Sequence, residues 1–351
     1  MILPEANLNE ASSERIAQIN STMLDYLEHG IFTEYKNSYI YVERTLLDGS
    51  IRKGVVGVID LEEYDYRPGS VSKIRATEQT VSERIPPRKK IRENAPIELS
   101  HVILLCDDER RSLIEPLMLS KHDLKKIYSF DLMQGGGKIQ GWLVNGEHGR
   151  ALSMRVDSYI KRKSKELSVL FAVGDGNHSL AAAKACYEEG KTSRYAMVEL
   201  ENIYDEALKF EPIHRIIKNI NVTEILKDIQ ENISIKSRAT QKNSWPINFY
   251  SRNQNGAINL DKNLGASALI VLQKYLDEKN FEIDYIHGLD TLKELALSNE
   301  NSLGFELPPF DANAKRDFFN IISANGVMPR KTFSMGQAQE KRYYLEARRI
   351  K

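Results

Sequence analysis

The sequence of residues 168–185 is Ser168-Val-Leu-Phe-Ala-Val-Gly-Asp-Gly-Asn-His-Ser-Leu-Ala-Ala-Ala-Lys-Ala185. The apolar run at residues 169–173 is typical of a buried strand. The alanine-rich run that begins at Leu180 is a strong helix former. Gly174 and Gly176 interrupt both patterns, so the sequence predicts a strand that passes through a short turn into a helix.

The predicted turn holds residues that suit a phosphate site. The first N–H groups of a helix lack intrahelical partners and the helix dipole adds positive charge there, so an anion is favoured. Gly174 and Gly176 let a ligand approach the backbone, Asp175 can hold a cation, and His178 can move a proton. The turn is neither a P-loop nor a dinucleotide fingerprint. The alternative is a tight turn in which Asp175 or Asn177 only caps the helix.

The rest of the chain mixes strand and helix patterns without an internal repeat. Residues 39–47 and 52–61 are two β-rich runs around an Asp-Gly turn, which predicts a hairpin. Residues 222–265 have the least regular sequence and indicate a smaller lobe or an insertion. These patterns predict an α+β fold with a mixed-sheet core and a second, smaller α/β lobe. We place the first domain at residues 1–215 and the second at residues 216–351.

Composition argues against several classes of function. The 351 residues include 49 Lys and Arg against 49 Asp and Glu, so no net charge draws the chain onto nucleic acid or an anionic membrane. No apolar run approaches the ~20 residues of a transmembrane helix, and we expect no signal peptide. Cys106 and Cys186 are far apart and indicate neither a disulfide framework nor a metal site. We therefore expect a cytoplasmic protein that binds small molecules and neither nucleic acid nor membrane.

A second group of chemically active residues lies at 65–92. In it, Arg75 and Arg84 flank Glu78. Arginine recognises phosphate and carboxylate groups through paired N–H donors, and a carboxylate held among arginines stays ionised and can act as a base. The alternative is a solvated, charged loop and helix face.

A third group lies at residues 328–336. Arg330 and Lys331 follow Pro329 there, and Gly336 closes the segment. The two cations can meet an anion, while the proline and glycine shape the loop. The alternative is a turn that leads into the last strand.

Together these segments resemble the bacterial and archaeal family catalogued as domain of unknown function 1015. The resemblance covers most of the chain, because the matching stretches run from residue 54 to residue 336. They are residues 54–69, Arg75-Ala-Thr-Glu-Gln-Thr80, Gly174-Asp-Gly-Asn-His-Ser179, Leu307-Pro-Pro-Phe310 and Pro329-Arg-Lys-Thr-Phe-Ser-Met-Gly336. Membership of this family would leave the function open, because the family is largely uncharacterised.

The Asp-Gly-x-His element at residues 175–178 is also similar to the phosphate-binding box of the ParB/sulfiredoxin-like superfamily. That group includes nucleotide-dependent partition proteins, sulfiredoxins and kinases of free serine. The resemblance implies that Gly174 to Ser179 cradle the phosphates of ATP or ADP. It also implies that Asp175 faces Mg²⁺ or phosphate and that His178 helps to bind or orient it.

Two departures from these relatives matter. Many of them have an arginine after the histidine where this chain has Ser179, so that phosphate contact is either missing or supplied by Arg75 or Arg84. Relatives also tend to carry a further segment ahead of the Leu3-Pro4-Glu5 seen here. If a substrate loop or a catalytic carboxylate lies in that segment, this chain would bind its ligand without turning it over.

The leading hypothesis is a phosphotransferase that uses ATP or ADP with Mg²⁺ and acts on a small hydroxyl metabolite such as free serine. Glu78 would be the base, with Asp175 as metal ligand and His178 as the third catalytic residue. The expected contacts to phosphate or nucleotide come from Gly174, Gly176, Asn177, Ser179, Arg75, Arg84, Arg330 and Lys331. The alternative is a non-catalytic regulator that binds a nucleotide or phospho-metabolite. A DNA-binding partition protein is disfavoured by the zero net charge.

Overall fold

A computed structural model describes residues 1–4, 7–8, 12–99, 102–235, 244–265, 267–310, 312–336 and 345–351. The chain divides into two compact units. Unit 1 comprises Met1–Leu208 with Gln337–Lys351, and unit 2 comprises Lys209–Gly336. The boundary expected after residue 215 lies inside the strand Phe210–Ile217. That whole strand belongs to unit 2 because its hydrogen-bonded partners are strands of unit 2.

Unit 1 is built on ten strands and five helices from the first 208 residues that the structure describes. The helices are α1 (Ser13–Glu28), α2 (Ile85–Arg92), α3 (Glu115–Leu119), α4 (Gly146–Lys163) and α5 (Asn177–Glu188). The strands are β1 (Tyr39–Thr45), β2 (Ile51–Asp60), β3 (Tyr64–Asp65), β4 (Ile74–Ala76), β5 (Ile97–Glu98), β6 (Ile103–Cys106), β7 (Lys125–Asp131), β8 (Lys138–Val144), β9 (Phe171–Asp175) and β10 (Tyr195–Asn202).

Nine of these strands form one mixed sheet in the order β3-β4-β9-β6-β10-β2-β1-β8-β7. The predicted hairpin is confirmed, since β1 pairs antiparallel with β2. Strand β4 runs parallel to both β3 and β9, while β6 runs antiparallel to β9 and parallel to β10. The predicted mixed-sheet core is therefore confirmed.

The main core of unit 1 lies on one face of this sheet. Leu152 and Tyr159 of α4 and Leu180 of α5 pack there against alternate strand residues such as Leu104 and Val173. Because side chains alternate between the two faces of a strand, the residues between them point to the opposite face. The sheet thus receives α4 and α5 on one side, which fixes where α5 begins.

The opposite face carries a buried ion pair. Arg52 on β2 and Glu201 on β10 are 4% and 3% exposed. The Arg52 Nη2 atom lies 2.7 Å from Glu201 Oε2, and Nε donates to the same oxygen at 2.8 Å. Val56 and Ile139 belong to the apolar cluster of this face. A desolvated pair with such contacts is held by mutual attraction that water does not screen.

Unit 2 has a smaller sheet with helices. Its elements are β11 (Phe210–Ile217), α6 (Val222–Asn232), β12 (Ser244–Tyr250), β13 (Asn255–Asp261), α7 (Ala268–Glu278), β14 (Ile283–His287), α8 (Leu289–Ser298), β15 (Leu303–Glu306), α9 (Ala312–Asn325) and β16 (Phe333–Met335). The sheet order is β13-β12-β15-β11-β14, with β16 also paired to β11. This agrees with the predicted second, smaller lobe.

The chain returns to unit 1 after unit 2. Strand β17 (Arg348–Arg349) pairs antiparallel with β5. Arg348 Nη1 donates to Glu98 Oε1 at 3.0 Å, and the Ile350 N–H donates to the Pro96 carbonyl at 3.0 Å. None of the helices in the described residues combines the length and hydropathy of a membrane-spanning helix.

Candidate functional site

The predicted passage from strand to helix is confirmed at residues 171–188. Strand β9 ends at Asp175 and α5 begins at Asn177. Gly176 between them has φ 85° and ψ 18°. This left-handed conformation strains residues with a Cβ atom, so glycine is the residue that permits the tight turn. Gly174 lies between two registers of the β9–β6 pairing, where the ladder is irregular.

The start of α5 is not closed by a side chain. The cap position is Gly176, and no side-chain hydrogen bond caps the helix. Asp175 Oδ1 instead accepts from the Gly176 N–H at 2.8 Å. Asn177 Oδ1 is buried and has no hydrogen-bond partner in the described part of the chain. The first N–H groups of α5 therefore remain able to bind an anion, and the Asp175 carboxylate lies directly beside them.

The segment that follows β4 leaves the sheet at the same edge as the turn. Strand β4 is parallel to β9, with Ala76 opposite Val173. The next residue, Thr77, is 1% exposed, and its Oγ1 donates to the Val173 carbonyl at 2.7 Å. This bond ties the end of β4 to the residue before Gly174. Glu78 follows directly and is half-buried, so sheet order brings this carboxylate to the edge that holds the turn.

His178 connects the helix to the same segment. Its Nε2 accepts from the Val81 N–H at 3.2 Å. An accepting Nε2 carries no proton, so the neutral ring is protonated at Nδ1. Arg84 follows three residues later, exposed at the cap position of α2.

Helix α2 packs beside α5 so that their N-terminal ends lie together. Ile85 contacts Ala181 and Ala182 near the start of α5, while Lys89 pairs with Glu189 beyond its end. The two helices therefore run in the same direction. Their positive ends lie at the same side of the site, which adds to its attraction for an anion.

One of the predicted phosphate contacts, Arg75, does not lie at this turn. The Arg75 guanidinium donates to the Ser72 carbonyl and to Ser168 Oγ. Ser72 lies before the first residue of β4, and Ser168 lies before the first residue of β9. The charged head of Arg75 is therefore at the opposite ends of β4 and β9. Arg330 and Lys331 belong to unit 2, where their exposed side chains extend from a loop whose carbonyls accept from Arg215 at 3.0 and 2.9 Å.

The predicted role of Asp175 in binding magnesium stays a prediction. Among the described residues, no group of three or more His, Cys, Asp or Glu side chains is arranged to hold a metal. Magnesium in phosphate sites is held by one or two carboxylates while phosphate oxygens and waters complete its shell. Asp175 fits that arrangement because it stands beside the uncapped helix start.

Sequence reasoning did not find two contacts of the site, Thr77 with Val173 and His178 with Val81. Thr77 lies within residues 65–92, the second group of chemically active residues. Its partner, the Val173 carbonyl, could not be predicted because the sequence does not show which strand lies beside β4. The Val81 contact uses a backbone N–H, which leaves no side-chain signal in the sequence. Both contacts depend on the placement of the segment after β4 beside the end of β9.

The comparisons with known proteins identify one family model and several solved structures. Residues 1–292 match the model described as "Protein of unknown function (DUF1015)". No curated protein sequence matches the chain.

The similar structures share about one residue in eight with the chain. SbnI with a C-terminal truncation from Staphylococcus aureus is 12% identical, with 80% of this chain and 82% of that chain covered and a TM-score of 0.41. A conserved hypothetical protein from Pyrococcus furiosus is 12% identical, with 84% and 95% covered and a TM-score of 0.38. A free serine kinase in complex with AMP is 12% identical, with 84% and 91% covered and a TM-score of 0.42.

Proposed function

The chain belongs to the DUF1015 family of proteins of unknown function, and we propose that unit 1 transfers a phosphoryl group from ATP or ADP to a small hydroxyl compound. The observation that carries the proposal is the uncapped start of α5 at Gly176, flanked by the Asp175 carboxylate. A free amino acid with a hydroxyl, such as serine, is the first acceptor to test.

The turn would bind phosphate through backbone N–H groups of Asn177, His178 and Ser179. Helix starts bind phosphate this way because the N–H groups and the dipole both favour negative charge. Asp175 would hold Mg²⁺ together with phosphate oxygens. A bound Mg²⁺–nucleotide would supply the phosphoryl group and neutralise the charge that develops on transfer.

Glu78 would accept the proton of the acceptor hydroxyl. It follows Thr77, whose bond to the Val173 carbonyl fixes the end of β4 beside the turn. Arg84, exposed at the start of α2, would contact phosphate where relatives carry an arginine in place of Ser179. His178 would hold residues 77–84 against α5 through the Val81 N–H.

A second candidate function is a regulator that binds a nucleotide or phospho-metabolite without turnover. One observation favours it: the Arg75 head is directed to Ser72 and Ser168, away from the turn. The turn then has one cation fewer to stabilise the charge that develops during transfer. Binding without turnover of any hydroxyl compound would support this candidate against the first.

We expect ATP or ADP with Mg²⁺ to raise the melting temperature of the protein. Ligand at 100 times its Kd adds about 2.7 kcal/mol to the stability of the folded state, which corresponds to roughly 5–10 °C. Asp175→Ala should lose most of the Mg²⁺-dependent part. The matched control is Asp131→Ala, which removes an exposed aspartate at the end of β7. No shift with ATP, ADP, CTP or pyrophosphate would contradict nucleotide binding.

Thr77→Val tests whether the link between β4 and β9 shapes the site. The control is Tyr159→Phe, because Tyr159 is also buried and its hydroxyl donates to the Leu170 carbonyl at 2.8 Å, before the other end of β9, while accepting from the Asp107 N–H at 3.0 Å. Thr77→Val should lose about 1–2 kcal/mol in urea unfolding, and Tyr159→Phe at least as much because it removes two hydrogen bonds. Only Thr77→Val should weaken nucleotide binding, and Thr77→Ser should restore it. Equal effects of Thr77→Val and Tyr159→Phe on binding would reduce Thr77 to a purely structural role.

A further inference from the structure

Arg75 is a buried cation at the strand ends opposite the turn. It is 3% exposed and lies on β4 opposite Ala172 of β9. Its Nε donates to the Ser72 carbonyl at 2.8 Å, and its Nη2 donates to Ser168 Oγ at 3.1 Å. Ser168 is exposed. The guanidinium therefore lies directly beneath the surface at the beginnings of β4 and β9.

No carboxylate compensates this charge in the described part of the chain. Two other arginines that are also buried each have a carboxylate partner. Arg52 pairs with Glu201 at 2.7 Å, and Arg92 pairs with Glu98 at 2.5 Å. Among the described residues, Arg75 has a carbonyl and a hydroxyl as its hydrogen-bond partners. Burial lowers the pKa of its guanidinium, and no charged neighbour offsets this effect.

A buried charge without a counter-ion is strongly unfavourable unless it is paired and hydrogen-bonded. A guanidinium has five N–H donors, and the two bonds above use two of them. The remaining donors form a planar fork of the kind that binds oxyanions in a bidentate manner. We infer that Arg75, with Ser168 beside it, anchors a binding position for a small oxyanion, which is a carboxylate or phosphate group of a metabolite.

This position is separate from the turn at Gly176. The five residues of β9 lie between them, and at a rise of about 3.3 Å per residue they span about 16 Å. A phosphate held at the start of α5 cannot also contact Arg75 across that distance. The anion at Arg75 is thus an additional ligand, and the inference does not depend on the proposed phosphoryl transfer.

The test is the response of the full chain to sodium phosphate and sodium acetate, each compared with sodium chloride at equal ionic strength. Two readouts are used: the melting temperature and the NMR signal of the Arg75 Nε–H, assigned by its absence in Arg75→Lys. We expect a saturable response in both. A response to phosphate, to acetate or to both supports the site, and the anion that produces the response shows which oxyanion the site binds.

Three variants separate this site from the turn. Arg75→Met should lower the saturable rise in melting temperature, because only binding at the turn can remain, and Asp175→Ala should retain the response of the Arg75 signal. Ser168→Ala, which keeps the buried charge and a folded surface position, should weaken anion binding by about threefold to tenfold. The inference is overturned if Arg75→Met responds like the unchanged protein. It is equally overturned if neither anion shifts the Arg75 NMR signal of the unchanged protein. That measurement does not require Arg75→Met to fold.

Discussion

Glu78→Gln is expected to lower the rate of phosphoryl transfer by about 10²- to 10⁴-fold, the usual contribution of a general base. Glutamine keeps the size and hydrogen-bonding shape of the side chain but cannot accept a proton from the acceptor hydroxyl. The loss should appear in kcat, while the affinity for Mg²⁺–ATP or Mg²⁺–ADP stays within about twofold because Glu78 does not hold phosphate.

The measurement is nucleotide turnover with serine and related hydroxyl compounds as acceptors. Glu83→Gln is the matched control, since Glu83 is an exposed carboxylate five residues further along the same segment. Full turnover of Glu78→Gln would show that Glu78 is not the base. Nucleotide binding without turnover in the unchanged protein would instead favour the regulator.

Arg52→Met is expected to lower the free energy of unfolding by about 3–5 kcal/mol. The substitution leaves Glu201 buried at 3% exposure without its cationic partner. The double variant Arg52→Met with Glu201→Leu should recover most of the loss, because two apolar side chains of similar volume remove the uncompensated charge.

Urea unfolding of the two single variants and the double variant measures the coupling between Arg52 and Glu201. The control is Arg111→Met, which breaks an exposed pair with Glu206 at 3.0 Å. That variant should change stability by less than about 1 kcal/mol. If Arg52→Met were as mild as Arg111→Met, the buried pair would contribute little to the fold.

The local pattern at residues 168–185 was sufficient to predict the strand, the turn and the helix. Alternation, glycine and alanine act within a few residues, so their consequences can be derived from a short window. The hairpin β1–β2 is predictable for the same reason. Sheet order is not, because β4 and β9 are about 95 residues apart and their pairing depends on the packing of the whole sheet.

The same limit explains why the sequence did not predict where the Arg75 guanidinium lies. Arg75 and Glu78 are three residues apart in the sequence, so the sequence alone predicts that both side chains reach the same phosphate site. The strand that contains Arg75, Ile74–Ala76, is short, and its sequence does not show to which end of the sheet the Arg75 side chain extends. The direction of a side chain along a strand is decided by its neighbours, here Ser72 and Ser168.

The return of residues 345–351 to unit 1 has a consequence for synthesis on the ribosome. Arg348 and Glu98 are 250 residues apart in sequence and yet pair directly. Strand β5 therefore remains without its partner until Arg348, 250 residues after Glu98, has been translated, while unit 2 is continuous in sequence and can form earlier. For that interval the nascent chain presents an unpaired strand edge, the kind of surface that chaperones bind and that aggregation exploits.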